Sequence, residues 1–251
     1  IKKDLLKSLF PKSGKVYFLD EIELNSKKDI EAEFNSRVVD SNEEGLIVRG
    51  ENGPVFKIKE YLSFDMAILG FITGYQNDST LMKEILVGVM SSENTFLIIG
   101  VIANGFSISD REKLAVDFEK IKVNSDILQM SSSKIPFTMI EPKHVVEVES
   151  TDIINSTTNG IIKKHILKFD KTYMVEDYCP SVSLTTPVFT RFRPDKQINT
   201  NDIGLNQIER IIAFGEEKES ESKKSPSKIL RKELYVKEMK GLKMVKKFFI
   251  W

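Results

Sequence analysis

The chain has 251 residues, with 37 Lys and Arg against 37 Asp and Glu, 41% apolar and 29% charged residues, a globular composition for one large or two ordinary domains. Zero formal charge excludes a global basic field, and a single cysteine, Cys179, excludes an intramolecular disulfide and fits a reducing cytoplasm. Two histidines, His144 and His165, with that one cysteine exclude a Cys₂His₂ or Cys₄ zinc site, and no apolar run approaches the ~18–20 residues that span a bilayer, so no membrane partner is expected. In chain order, residues 2–10 place Leu5, Leu6, Leu9 and Phe10 at helical spacing before Pro11. Residues 16–19 read as a strand, with Phe18 a core residue. Glu21 and Glu23 read as a solvated strand face. Residues 26–39 read as a helix with Ser26 as N-cap and Asp29, Glu31 and Glu33 in its first half.

A carboxylate then opens the strand-forming run Glu44-Gly45-Leu46-Ile47-Val48-Arg49. A turn over 50–54 leads to Phe56-Lys57-Ile58-Lys59. Lysines two apart on a strand point to one face, and antiparallel pairing brings Glu44 beside both. A carboxylate next to two ammonium groups suits a polyphosphate and its Mg²⁺. A Glu/Lys-rich hairpin with a solvated face is the plain alternative.

From Asp65 to about Pro194 the chain is strand-rich. Residues 85–89 and 96–101 flank a polar turn at 91–94, and Asn104-Gly105 is a turn. Residues 109–118 read as a helix capped by Ser109 and Asp110, and 141–148 and 161–169 as further strands. Five short strands with one helix between the third and fourth predict an OB-type barrel. Residues 216–228 carry charge and serine without an apolar face and read as a linker. Ten cationic residues against two acids follow from Lys223 to Lys247, a solvated tail or a phosphate-binding segment. The start at Ile1 and the end at Phe248-Phe249-Ile250-Trp251 give the expectation of a piece of a longer protein.

These residues resemble the ATP-dependent DNA ligases of the covalent nucleotidyltransferase superfamily. Glu44 to Arg49 is similar to nucleotidyltransferase motif IV and Lys57-Ile58-Lys59 to motif V. The run from Asp65 resembles the first OB strand, and Gly105-Phe106-Ser107 the OB turn. Glu141-Pro142-Lys143-His144-Val145-Val146-Glu147-Val148 resembles the Pro-x-x-Val-Val-Glu-Val strand, and Arg193-Pro194-Asp195-Lys196 the Arg-x-Asp-Lys of motif VI. The resemblance implies an α+β, mostly β chain: the end of a nucleotidyltransferase (ATP-grasp-like) domain over 1–62, an OB-fold barrel over 63–200, a linker over 201–228 and the start of a basic C-terminal extension over 229–251.

The resemblance also implies ATP and Mg²⁺ as cofactors and nicked duplex DNA as partner. Glu44, Arg49, Lys57 and Lys59 would bind the nucleotide, with Glu44 on the metal and both lysines on the AMP phosphate. Arg193, Asp195 and Lys196 would orient the leaving pyrophosphate on closure about a hinge between Lys59 and Asp65. Arg191 and Lys143 would meet DNA, although a solvated strand residue is an open reading for each. His144 reads as structural and Cys179 as an inert loop residue. The nucleophilic Lys-x-Asp-Gly motif does not occur in this sequence, so this polypeptide alone is expected not to form lysine–AMP. An RNA ligase or capping-type nucleotidyltransferase, and a non-catalytic OB module, are the competing readings.

Overall fold

The computed structural model describes residues 21–41, 43–50, 53–76, 79–209 and 248–250, with the isolated positions 5 and 9. The helix expected over 2–10, the strand over 16–19 and most of the stretch from 210 onward fall outside the described residues. The chain divides into two units, Ile1–Glu60 with Lys224–Trp251, and Tyr61–Lys223. No helix among the described residues is long and apolar enough to cross a membrane.

The first unit follows its apolar periodicities. Strand β1 (Ile22–Leu24) leads to helix α1 (Lys27–Phe34), whose N-cap Ser26 accepts the Asp29 amide at 3.2 Å. The helix expected to run on to 39 widens instead into a π-helical turn, Asn35–Asp40. Strands β2 (Leu46–Gly50) and β3 (Val55–Ile58) pair antiparallel, and the strand Phe248–Ile250 lies between β1 and β2. Leu24, Ile30, Phe34, Val38, Leu46 and Val48 form the core, each worth roughly 1.5–3 kcal/mol of apolar burial for the larger side chains. Alternation along β2 buries Leu46 and Val48 and leaves Arg49 exposed.

The second unit is a barrel. Strands β4 (Leu62–Gln76), β5 (Ser79–Ser92) and β6 (Thr95–Ile102) form an antiparallel meander. Helix α2 (Ile108–Glu119) follows, then β7 (Thr138–Met139) and β8 (Val145–Ser150), which returns to pair with β4. Strands β9 (Asp152–Ile154), β10 (Ser156–Thr157), β11 (Gly160–Ile161), β12 (Lys163–Asp170), β13 (Thr172–Pro180) and β14 (Ser183–Thr185) are inserted before β15 (Val188–Phe192). Strand β15 pairs with β8 on one side. On the other, the Phe189 amide donates to the Asn104 carbonyl at 2.9 Å, and Asn104 and Val188 form a parallel bridge just after β6. That contact closes β4, β5, β6, β15 and β8 into the five-stranded, OB-like barrel the sequence pattern predicts.

Closure depends on the absence of a side chain at residue 105. Gly105 has φ +98°, and a Cβ there would sit 2.0 Å from the Phe189 carbonyl oxygen. The neighbouring Phe106 ring stacks on Phe189 at 4.2 Å. The long barrel strands are buried on both faces: Phe64, Met66, Ile68 and Phe71 point into one core cluster, Ala67, Leu69 and Ile72 into a second. This explains the continuous apolar run after Asp65.

Four local expectations are corrected. Helix α2 is capped by Ser107 rather than Ser109: Ser107 Oγ accepts the Asp110 amide at 3.1 Å, and Asp110 Oδ2 accepts the Ser107 amide at 3.2 Å. The strand expected from Glu141 begins at Val145, because the Glu141 amide bonds the Ile121 carbonyl at 2.9 Å outside the ladder. Cys179 lies in β13 opposite Lys164, not in a loop. Within the stretch expected as a linker, α3 (Thr200–Ile203) and the helical residues 206–209 bury Ile203 and Ile208 against the barrel.

Candidate nucleotide and phosphate sites

In the first unit, Glu44, Lys57 and Lys59 converge. Pairing of Ile47 with Lys57 and of Leu46 with Ile58 sets Glu44 and Gly45 against the end of β3. A Cβ at Gly45 would lie 2.4 Å from the Ile58 carbonyl oxygen, so glycine permits this approach. Lys57 Nζ donates to Glu44 Oε1 at 3.3 Å, and Lys59 Nζ bonds the same oxygen. The Lys59 bond, then the Lys57 bond, hold the Glu44 carboxyl below the usual carboxylate range. Arg49 shares the open face of β2 and β3 with Lys57, since Ile47 and Arg49 alternate away from the buried Leu46 and Val48. Glu44 is three-quarters exposed, so the cluster is a solvated surface arrangement worth little to stability.

The same geometry suits a metal-bound polyphosphate. Among the described residues no group of three or more His, Cys, Asp or Glu converges, and Glu44 offers one carboxylate whose Oε2 accepts no bond from a described residue. One carboxylate fits Mg²⁺, which keeps most of its waters and takes phosphate oxygens from a nucleotide. The two ammonium groups fit the phosphate itself.

In the second unit, the residues after β15 meet the first barrel strand. Arg193 is buried at 9% exposure. Its Nε donates to both Asp195 oxygens at 2.9 and 3.2 Å, its Nη2 to Asp195 at 2.6 Å and its Nη1 to Asp65 at 2.7 Å. The bonds from Arg193 pull the Asp195 carboxyl down to about 2. Arg191 donates from Nε to Glu147 Oε2 at 2.6 Å, and Ser63 Oγ donates to Glu147 Oε1 at 2.9 Å. Lys196 donates to Asp202 at 3.0 Å, which the Gln197 amide also bonds at 3.0 Å. Gln207 clamps Asp65 through its backbone: the Asp65 amide donates to Gln207 Oε1 at 2.9 Å, and Gln207 Nε2 donates to the Asp65 carbonyl at 3.1 Å.

The expected residues thus fall into two groups. Arg191, Arg193 and Asp195 form one network within the barrel unit, and Lys196 is tied to α3. Lys143 stands apart from these bonds, exposed just before β8 and paired with Glu141 at 2.8 Å. His144 packs half-buried between Phe118 and Phe192, and burial lowers its pKa. Sequence reading missed Asp65, Glu147, Asp202 and Gln207. Glu147 had a signal: a carboxylate inside the apolar run Val145-Val146-Glu147-Val148, where an unpaired charge is not tolerated.

Residues 78–196 match a family described as the ATP dependent DNA ligase C terminal region. A DNA ligase of Sulfurisphaera tokodaii is 25% identical over 137 residues, 54% of this chain and 21% of that protein. The chain therefore spans about a fifth of that relative's length. The ligase domain of LigD from M. tuberculosis is similar at a TM-score of 0.37 with 17% identity, over 57% of this chain and 39% of that one. The structure named Pmar-Lig_Pre. is similar at a TM-score of 0.41 with 15% identity, over 67% of this chain and 31% of that one.

Proposed function

We propose that this chain, whose residues 78–196 match the ATP dependent DNA ligase C terminal region, serves a DNA ligase that seals nicks through lysine–AMP and DNA–adenylate intermediates. The family match over residues 78–196 is the observation that supports this most, and the meeting of Lys57 and Lys59 on Glu44 agrees with it. In this reading Lys57 and Lys59 leave Glu44 to neutralise the AMP phosphate, and Arg49 adds a third cation on the same open face. Each step is an in-line attack at phosphorus, so the residues act by positioning and charge neutralisation. Mg²⁺ held through Glu44 would supply further positive charge at the phosphate oxygens. Arg193, Asp195 and Lys196 keep the motif VI pattern, and Arg191 and Lys143 are the cations proposed to meet DNA.

The test uses the gene product that carries this chain, with ATP, Mg²⁺ and a singly nicked duplex bearing a 5′-phosphate. Sealing of a DNA nick is expected, and Lys59→Ala should slow it about 10- to 100-fold, the loss of a charge-assisted contact. Sealing confined to RNA nicks, or an unaffected Lys59→Ala variant, would sink the reading. The 251-residue chain by itself, lacking Lys-x-Asp-Gly, should take up no covalent label from ATP. A labelled band on a denaturing gel would contradict that.

A further inference from the structure

We propose that Glu147 is a positioning residue that aims Arg191 at a phosphate oxyanion, while Arg193 braces the same ion-pair network from inside the barrel. This rests on the ligase reading and reassigns the roles of the two arginines within it. A guanidinium has five N–H donors and no acceptor. Every nitrogen of Arg193 is engaged by Asp195 or Asp65, and the side chain is 9% exposed. The two N–H donors it has left sit on a side chain that is almost wholly enclosed.

Arg191 is the reverse case. It is 54% exposed and spends only Nε, on Glu147. Its two terminal nitrogens carry the four remaining donors, a fork that matches two phosphate oxygens. Glu147 is suited to fix that fork. Its side chain is 1% exposed, its other oxygen is occupied by Ser63, and it sits directly opposite Arg191 in the pairing of β8 with β15. A carboxylate this enclosed cannot follow Arg191 into solvent, so the guanidinium is held at one end and presented at the other. Arg193 Nη1 lies 3.8 Å from the same Glu147 oxygen, so the Glu147 charge is shared and Arg191 keeps part of its own.

The phosphate has two possible sources, the DNA backbone or the nucleotide. The full chain is titrated with singly nicked, 5′-phosphorylated duplex at several salt concentrations, and separately with inorganic pyrophosphate followed by phosphorus NMR. Arg191→Ala should lower the slope of log affinity against log salt by about one unit for the duplex if the backbone is the source. It should weaken pyrophosphate instead if the nucleotide is. Glu147→Gln should weaken the same probe 3- to 10-fold with Arg191 present and not at all on the Arg191→Ala background, a coupling that a purely structural role would not produce. Arg193→Lys should lower the melting temperature more than Arg191→Ala does. The proposal is overturned if Arg191→Ala binds both probes as the wild type does, if the Arg191 and Glu147 losses simply add, or if the order of melting temperatures is reversed. A wild-type chain that binds neither probe also overturns it, whereas the ligase reading stands or falls separately on nick sealing by the gene product.

Discussion

Replacing Gly105 by alanine should open the barrel. Residue 105 holds φ +98°, and an alanine there costs about 1–3 kcal/mol for its backbone alone. Its Cβ would lie 2.0 Å from the Phe189 carbonyl oxygen and 2.8 Å from the Phe189 amide nitrogen, so β15 must retreat. Retreat breaks the bond from the Phe189 amide to Asn104, about 1 kcal/mol, and separates the Phe106–Phe189 stack, about another 1 kcal/mol. The expected loss is about 3–5 kcal/mol, which for a domain of this size lowers the melting temperature by roughly 10 °C. Gly160 supplies the control. It has a similar φ of +105°, but a Cβ there meets nothing within 4 Å, so Gly160→Ala should carry the backbone cost alone. Differential scanning calorimetry of both variants separates the two contributions. If Gly105→Ala melts no lower than Gly160→Ala, closure through Asn104 and Phe189 does not hold this barrel together.

Three further outcomes are expected. The Glu44 carboxyl should titrate closer to the ordinary range in Lys59→Ala than in Lys57→Ala, because the Lys59 bond is the larger cause of its depression; carboxyl-selective NMR measures both, and the opposite order would be inconsistent with the observed pairing. Asp195 is depressed in the fold from 3.8 to about 2, so it binds its proton more readily when unfolded. Its stabilisation is complete above about pH 4 and is lost as pH falls toward 2; Asp195→Asn should flatten that acid limb in melts taken from pH 5 to 2, and an unchanged limb would refute the assignment. Phe118 is fully buried and meets Phe71 edge-on at 5.4 Å, so Phe118→Ala should cost about 3–5 kcal/mol in urea unfolding, and a loss under 1 kcal/mol would mean α2 is not packed as described.

The barrel was legible because its strands announce themselves twice, by apolar content and by turn residues such as Asn94 and Gly105. The hairpin site was legible for a similar reason: period-two spacing fixes which side chains share a face, and Glu44 needed only antiparallel pairing to reach both lysines. What was lost depended on contacts between distant residues. Ser107 and Ser109 look alike in a local window, and only the reciprocal bond with Asp110 selects the first. The motif residues Arg193 and Lys196 read as groups that orient pyrophosphate, and no local window shows their bonds to Asp65 and Asp202, from the barrel's first strand and from a short helix. Residues 201–209 read as linker because helical stretches this short give no periodicity; their order comes from Ile203, Gln207 and Ile208 docking on strands far earlier in the chain.

The Gln207 clamp joins the chain's way into the barrel to its way out. Gln207 takes both backbone groups of Asp65 as a neighbouring strand would, and the Asp65 carboxylate in turn grips Arg193. A tug on the polypeptide beyond residue 209 is therefore delivered to the anchor of the buried arginine rather than dissipated in a slack tether. The chain's exit from the barrel is thus geared to the ion pairs that hold Arg193.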